Sequence, residues 1–137
     1  MLVEDIKKMC VARLDRDIKD VGIFYTLCYA AMLRICLFCS PKHLISNLPG
    51  DTQRIETIGT LRYPIQPTTD DEHIDIDDAL CLAVVSFVCS DLSTVRELKN
   101  YFLEDGMSIV SNYESIRLKE SNAIAKKESK VGGRGVY

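Results

Sequence analysis

Residues 21–43 read VGIFYTLCYAAMLRICLFCSPKH, and the fold turns on what this run is. Arg34 is its only charge before Lys42. Three readings compete: a membrane span, a buried helix, and a metal or redox site built on Cys36-Leu37-Phe38-Cys39 with His43. A bilayer span needs about 20 predominantly apolar residues. Arg34 leaves only 13 uncharged residues in front of it, Val21 to Leu33, and Tyr25, Thr26 and Tyr29 dilute those further. The run therefore reads as a helix buried on most sides within a bundle, with no membrane span. Ser40-Pro41 starts a new element: a hydroxyl able to accept from an orphan backbone N–H, then a proline whose fixed φ suits the first helical position. The long helix then ends at the CxxC, and a short one runs from Pro41 to about Leu48. Cys39 precedes the cap, placed to pack on Leu44 as a hydrophobic staple. Pro49-Gly50 stops the short helix.

This placement weighs against redox chemistry. A redox CxxC sits at a helix N-terminus, where the dipole favours thiolate; here the pair falls at a helix C-terminus, whose negative end raises the thiol pKa. Zinc needs four ligands. Cys36, Cys39 and His43 supply three at C-x2-C-x3-H spacing, and a fourth comes only from far along the chain, at His73 or Cys81. A strong zinc signature has a second matching pair, which this sequence lacks. Cys28 and Cys39 also share a helical face with Met32 and Ile35, as core residues do, and an unpaired cysteine commonly serves as a small hydrophobe. The core reading is preferred and no cofactor is expected; Cys36, Cys39 and His43 remain the candidate metal set.

The rest of the chain supplies the neighbours such a helix needs. Val3, Ile6, Cys10, Leu14 and Ile18 recur at steps of three and four among charged residues, which predicts an amphipathic helix over 3–19. Asp20 can cap the helix that follows. A second uncharged run, Ala79 to Cys89, predicts another buried helix near 78–91, capped by Asp75 or Asp77. Thr94 and Glu97 stand at capping-box spacing, with Val95, Leu98 and Phe102 on one face and Gly106 as terminator. After Gly106 a narrower stripe, Ile109, Tyr113, Ile116 and Ile124, predicts a helix that docks at its start and frays towards Lys130. Between the two buried helices, residues 49–75 carry Pro49, Gly50, Gly59, Pro64 and Pro67 and read as a long irregular loop. Leu61, Tyr63 and Ile65 alternate there like a short edge strand.

The expectation is an all-α, compact bundle of five to six helices around two buried central ones. Its core is Ile6, Cys10, Phe24, Leu27, Cys28, Ala31, Ile35, Leu80, Val84, Phe87, Val88, Leu98 and Phe102. Charge divides the chain of 137 residues in two. Residues 1–114 form an acidic helical body, and residues 115–137 a basic helical extension and flexible tail with six basic against two acidic side chains, a net +4. Lys126, Lys127, Lys130 and Arg134 of that tail, beside a single Gly-Gly-Arg-Gly, are the candidate nucleic-acid contacts. The run Asp70 to Asp78 holds six carboxylates in nine residues without the glycine and glutamate spacing of an EF-hand. It reads mainly as a solvated loop and helix cap, with Tyr63, Asp70, Asp71 and Glu72 as candidate partner-binding residues.

Several function classes lose support. The sequence has no GxxxxGK[ST] phosphate loop, no HExxH, no GxSxG and no GxGxxG, and only two histidines. Ser46 and Ser86 lie in helical runs with no general base close in sequence. No enzyme is expected. The N-terminal MLVEDIKKMC does not read as a signal peptide, so the six cysteines are expected to stay reduced in a cytoplasmic or nuclear setting. The function expected is a non-catalytic helical protein–protein interaction or assembly module, with another protein or a second copy as partner; nucleic-acid association through the tail is the alternative.

Overall fold

The computed structural model describes residues 1–45 and 61–132, with the side chains of Ser121 and residues 124–132 outside that description. The fold is all-α. Among the described residues there are four α-helices, α1 (Val3–Leu14), α2 (Val21–Phe38), α3 (Cys81–Leu92) and α4 (Arg96–Gly132), and two short 3-10 turns, Lys42–Leu44 and Asp78–Leu80. No strand is present among them; Leu61 meets Ile45 in an isolated bridge, while Tyr63 and Ile65 are exposed. Residues 46–48 of the expected short helix and residues 49–60 of the loop lie outside the described residues.

The centre is α3. Nine of its twelve residues are buried, and α1, α2 and α4 all pack against it. Val84, Val85 and Val88 are poor helix formers in isolation, so burial rather than propensity holds this segment helical. Among the polar ties on α3, one joins three helices. The wholly buried Ser86 donates its hydroxyl to Asp105 Oδ2 at 2.5 Å and accepts from Arg13 Nη1 at 3.0 Å, joining α1, α3 and α4. These partners are a carboxylate and a guanidinium, so the group acts as an interhelix clasp.

The helix count differs from the expected five or six for two reasons. Gly106 does not terminate a helix; it lies buried inside α4, where an added Cβ would sit 2.6 Å from Cε1 of Phe87. The glycine is a notch for the ring, and α4 continues through it. Pro41 begins only a single 3-10 turn, with Pro41 itself in the capping position. The helical backbone also persists to Gly132, past the Lys130 where fraying is expected, through a stretch rich in the helix formers Ala, Lys and Glu. At 1.5 Å per residue, the 37 residues of α4 span about 55 Å against about 18 Å for α3.

Other expectations need correction. Helix α1 stops at Leu14 rather than 19, because Asp15 takes a left-handed conformation with φ 53°. Ile18 still packs on the core from beyond it. Leu98 is exposed rather than core, as is Val95 on the same expected face, since Phe102, Gly106 and Val110 set the inward face of α4. Leu27 is half-buried at the core margin. Leu44 packs with Cys36 and Leu61 in a small cluster, so the staple uses Cys36, while Cys39 joins Cys28, Met32 and Ile35 in the main core. Asp20 caps α2 as expected, accepting from the Ile23 N–H at 3.0 Å.

Candidate functional site

Two surfaces qualify for a functional role. The first is a groove of about 410 Å³ where the turns at 42–44 and 78–80 meet the middle of α4. Ala79, Ile109 and Ile116 give it apolar walls, and Lys42, Asp77, Tyr113, Arg117 and Glu120 rim it. Asp77 organises the rim. It was expected to cap a helix, yet its side chain makes no cap bond; Oδ1 accepts from the His43 backbone N–H at 2.8 Å and Oδ2 from the Tyr113 hydroxyl at 2.6 Å. Tyr113 in turn accepts from the Lys42 N–H at 2.9 Å. Burial and the bond to Asp77 push the Tyr113 hydroxyl pKa up, so it stays protonated as a donor. Lys42 Nζ meets Glu120 at 2.9 Å, and Arg117 donates to the Ser40 carbonyl. Lys42 and Glu120 thus form an ion pair, while Asp77 and Arg117 are hydrogen-bonded to neutral groups. The arrangement locks two turns onto α4 and offers a shaped apolar recess rather than a reactive group.

The acidic run is drawn into the same framework. Asp75 accepts two bonds from Arg62 at 2.6 and 2.9 Å, one from the Ile65 N–H at 2.9 Å, and bonds the His43 ring at 2.8 Å. Burial alone would raise the Asp75 pKa; the Arg62, Ile65 and His43 contacts outweigh it and hold the carboxyl below its usual range. Among the candidate partner-binding residues, Tyr63 and Asp71 are exposed, whereas Asp70 and Glu72 are engaged within the chain. Asp70 takes a bond from Lys7 at 2.5 Å and another from the Tyr25 hydroxyl at 2.8 Å, and both lower its pKa. Glu72 is bonded by Thr68 and Thr69. The backbone carbonyls of Asp70 and Glu72 accept from the Glu4 and Val3 N–H groups, respectively, so this loop satisfies orphan donors at the start of α1.

Of the candidate metal set, Cys36 lies in the last turn of α2 and Cys39 caps that helix; both are buried, in different clusters, and the His43 ring faces Asp75. Among the described residues no three of His, Cys, Asp and Glu converge to hold a metal ion. Burial pushes the thiol pKa up to about 11 at Cys36 and about 12 at Cys39. All six cysteines are free and buried. Lys126, Lys127 and Lys130 fall on the helical backbone of α4 with their side chains outside the described residues, as is Arg134 altogether.

The second surface is the outward face of α2. Phe24, Cys28, Ala31, Met32, Ile35 and Cys36 point inward. The opposite side presents Ile23, Thr26, Ala30, Leu33 and Leu37, at steps of three and four. Leu33 is half-buried and the others are exposed, Ile23 at 52% and Leu37 at 63%. Thr26 donates its hydroxyl to the Gly22 carbonyl, and the guanidinium of Arg34 lies 5.4 Å from the Phe87 ring centroid. The seam therefore carries no charge. The spacing of these five residues is visible in the sequence, but the inward set has a helical period too, and only the packing tells one face from the other. Helix α2 is long and apolar enough to cross a membrane by length and composition. No family model matches the chain, and no curated protein or solved structure matches it significantly.

Proposed function

We propose that the chain is a non-catalytic helical interaction or assembly module: a compact acidic bundle over residues 1–114, with residues 115–137 as a basic extension. The uncharged outward seam of α2, at Ile23, Thr26, Ala30, Leu33 and Leu37, carries this reading. An apolar face of this kind on a folded domain marks a surface that gains by being covered. The inward half of α2 packed on α3 supports a core helix with a second, docking face over a lipid-spanning one. Six buried thiols suit a reducing setting, cytoplasmic or nuclear.

The test is a set of single aspartate substitutions, Ile23→Asp, Ala30→Asp and Leu37→Asp. These positions are exposed, so melting curves should stay close to that of the unaltered chain. Self-association by sedimentation, or retention of a protein partner, should fall in all three. If neither property changes in any of them, the proposal fails.

A further inference from the structure

We infer that the α2 seam is covered by a second copy of this chain, through a twofold contact in which two α2 helices cross at Ala30. This rests on the interaction-module reading and names its partner. The seam is self-complementary about Ala30. Ile23 lies seven residues before it and Leu37 seven after, each about 10.5 Å along the axis. Twofold pairing reverses one helix, so Ile23 lies against the partner's Leu37 at both ends while the small Ala30 side chains meet at the middle. A small residue at the crossing lets two helix backbones approach at the close end of the usual 8–10 Å range. Ala30 and Thr26 are exposed and small, and the bulky side chains stand towards the two ends.

Polarity agrees with this occupant. Each copy brings the same charge, so a self-contact works best where charge is absent. The Thr26 hydroxyl is satisfied within its own helix, and Arg34, the only charged residue of α2, is turned towards Phe87. Antiparallel helices also align their dipoles favourably.

The area is that of a weak dimer that forms with concentration. Ile23 and Leu37 are 52% and 63% exposed. Together with Thr26, Ala30 and Leu33 they offer on the order of 400 Å² per copy, so the pair covers roughly 800 Å², the size of a weak, transient contact.

The test combines sedimentation with directed cross-linking of the full chain. The native thiols are buried, so a cysteine placed on the surface is the accessible one. Under mild oxidation Ala30→Cys should form a disulfide-linked dimer at least about tenfold faster than Ala12→Cys, an exposed control on α1, because the dimer raises the local thiol concentration. Ile23→Cys and Leu37→Cys should cross-link to each other when mixed, and each far more slowly to itself. Sedimentation should show a dimer that dilutes to monomer and that Ala30→Asp abolishes. Equal rates for Ala30→Cys and Ala12→Cys, or a monomer at every concentration, would overturn the inference. Three outcomes separate it from the reading beneath it. A monomer whose Ala30→Asp variant loses a retained protein removes the second copy but leaves the interaction module. A monomer that binds neutral phosphatidylcholine vesicles through α2 makes lipid the occupant and overturns both. So does a chain in which none of Ile23→Asp, Ala30→Asp and Leu37→Asp changes self-association or partner retention.

Discussion

Replacing Gly106 with alanine tests the packing at the centre of the molecule, and the sign of the result decides it. At an ordinary position inside a helix, Gly→Ala stabilises by about 0.8–1.0 kcal/mol, because alanine loses less backbone entropy. Here the new Cβ would lie 2.6 Å from Cε1 of Phe87 and 2.9 Å from Cδ1 and Cζ. Carbon atoms pack best at about 3.5–4.0 Å, so the ring must retreat by roughly 1 Å. Phe87 is wholly buried, and Arg34 stacks against its ring, so the retreat strains the core on several sides. Overpacking of this kind costs about 1–3 kcal/mol. Set against the helix gain, Gly106→Ala should lose about 1 kcal/mol net. At about 2.1 cal/mol/K per residue, a chain of 137 residues has an unfolding entropy near 0.29 kcal/mol/K, and the loss lowers Tm by about 3–4 °C. Thermal and urea unfolding followed by far-UV circular dichroism measure it. A companion cycle with Phe87→Leu locates the cause: shrinking the ring makes room for the Cβ, so the double variant should be more stable than the two single losses predict by about 0.5 kcal/mol or more. A Tm that rises with Gly106→Ala, as for a solvated helix glycine, would refute the notch and with it the seating of α4 on α3.

Further perturbations probe the polar ties and the thiols. Asp105→Ala leaves the buried Ser86 hydroxyl without its acceptor and should cost about 1–3 kcal/mol, and adding Ser86→Ala should recover part of that; strictly additive losses would show that the clasp does not form. Asp70 and Asp75 are held below the usual carboxylate range, so their contribution to stability is present above about pH 4 and is lost as pH falls through their lowered values. Asp75→Asn should be less stable at neutral pH and show a flatter acid limb than the unaltered chain, whereas identical limbs would remove the Arg62–Asp75–His43 contacts from the account. Burial raises the thiols of Cys28 and Cys39 to about 12 and of Cys36 and Cys81 to about 11. A rise from 9 to 11 leaves roughly 100-fold less thiolate at neutral pH. Alkylation of the folded chain should therefore be slow and become fast in urea, and rapid native labelling at Cys36 or Cys39 would place that thiol on the surface.

What the sequence discloses follows from how each signal is used. The long apolar runs at 21–38 and 81–92, each with a single charged residue, identify the two central helices, because charge is largely excluded from buried surface wherever the partners are. Gly106 and Asp77 defeat the same approach, since a glycine and an aspartate next to helices are read as punctuation when nothing shows the ring of Phe87 or the hydroxyl of Tyr113 beside them. Both are long-range contacts, across 19 and 36 residues of chain, and local pattern carries no trace of them. The α2 seam is a different case. Its spacing is legible, but its direction depends on α3. Because α3 sits among α1, α2 and α4, each of those helices has one side covered by α3 and another side away from it. On α1 that outer side bears Lys8 and Ala12, and on α4 it bears Glu97, Asn100, Glu104 and Ser108 among scattered apolar residues. Helix α2 alone keeps its outer side free of charge from Ile23 to Leu37. The same absence of charge makes α2 read as core in the sequence and leaves it, once α3 has taken one face, with the other still suited to burial.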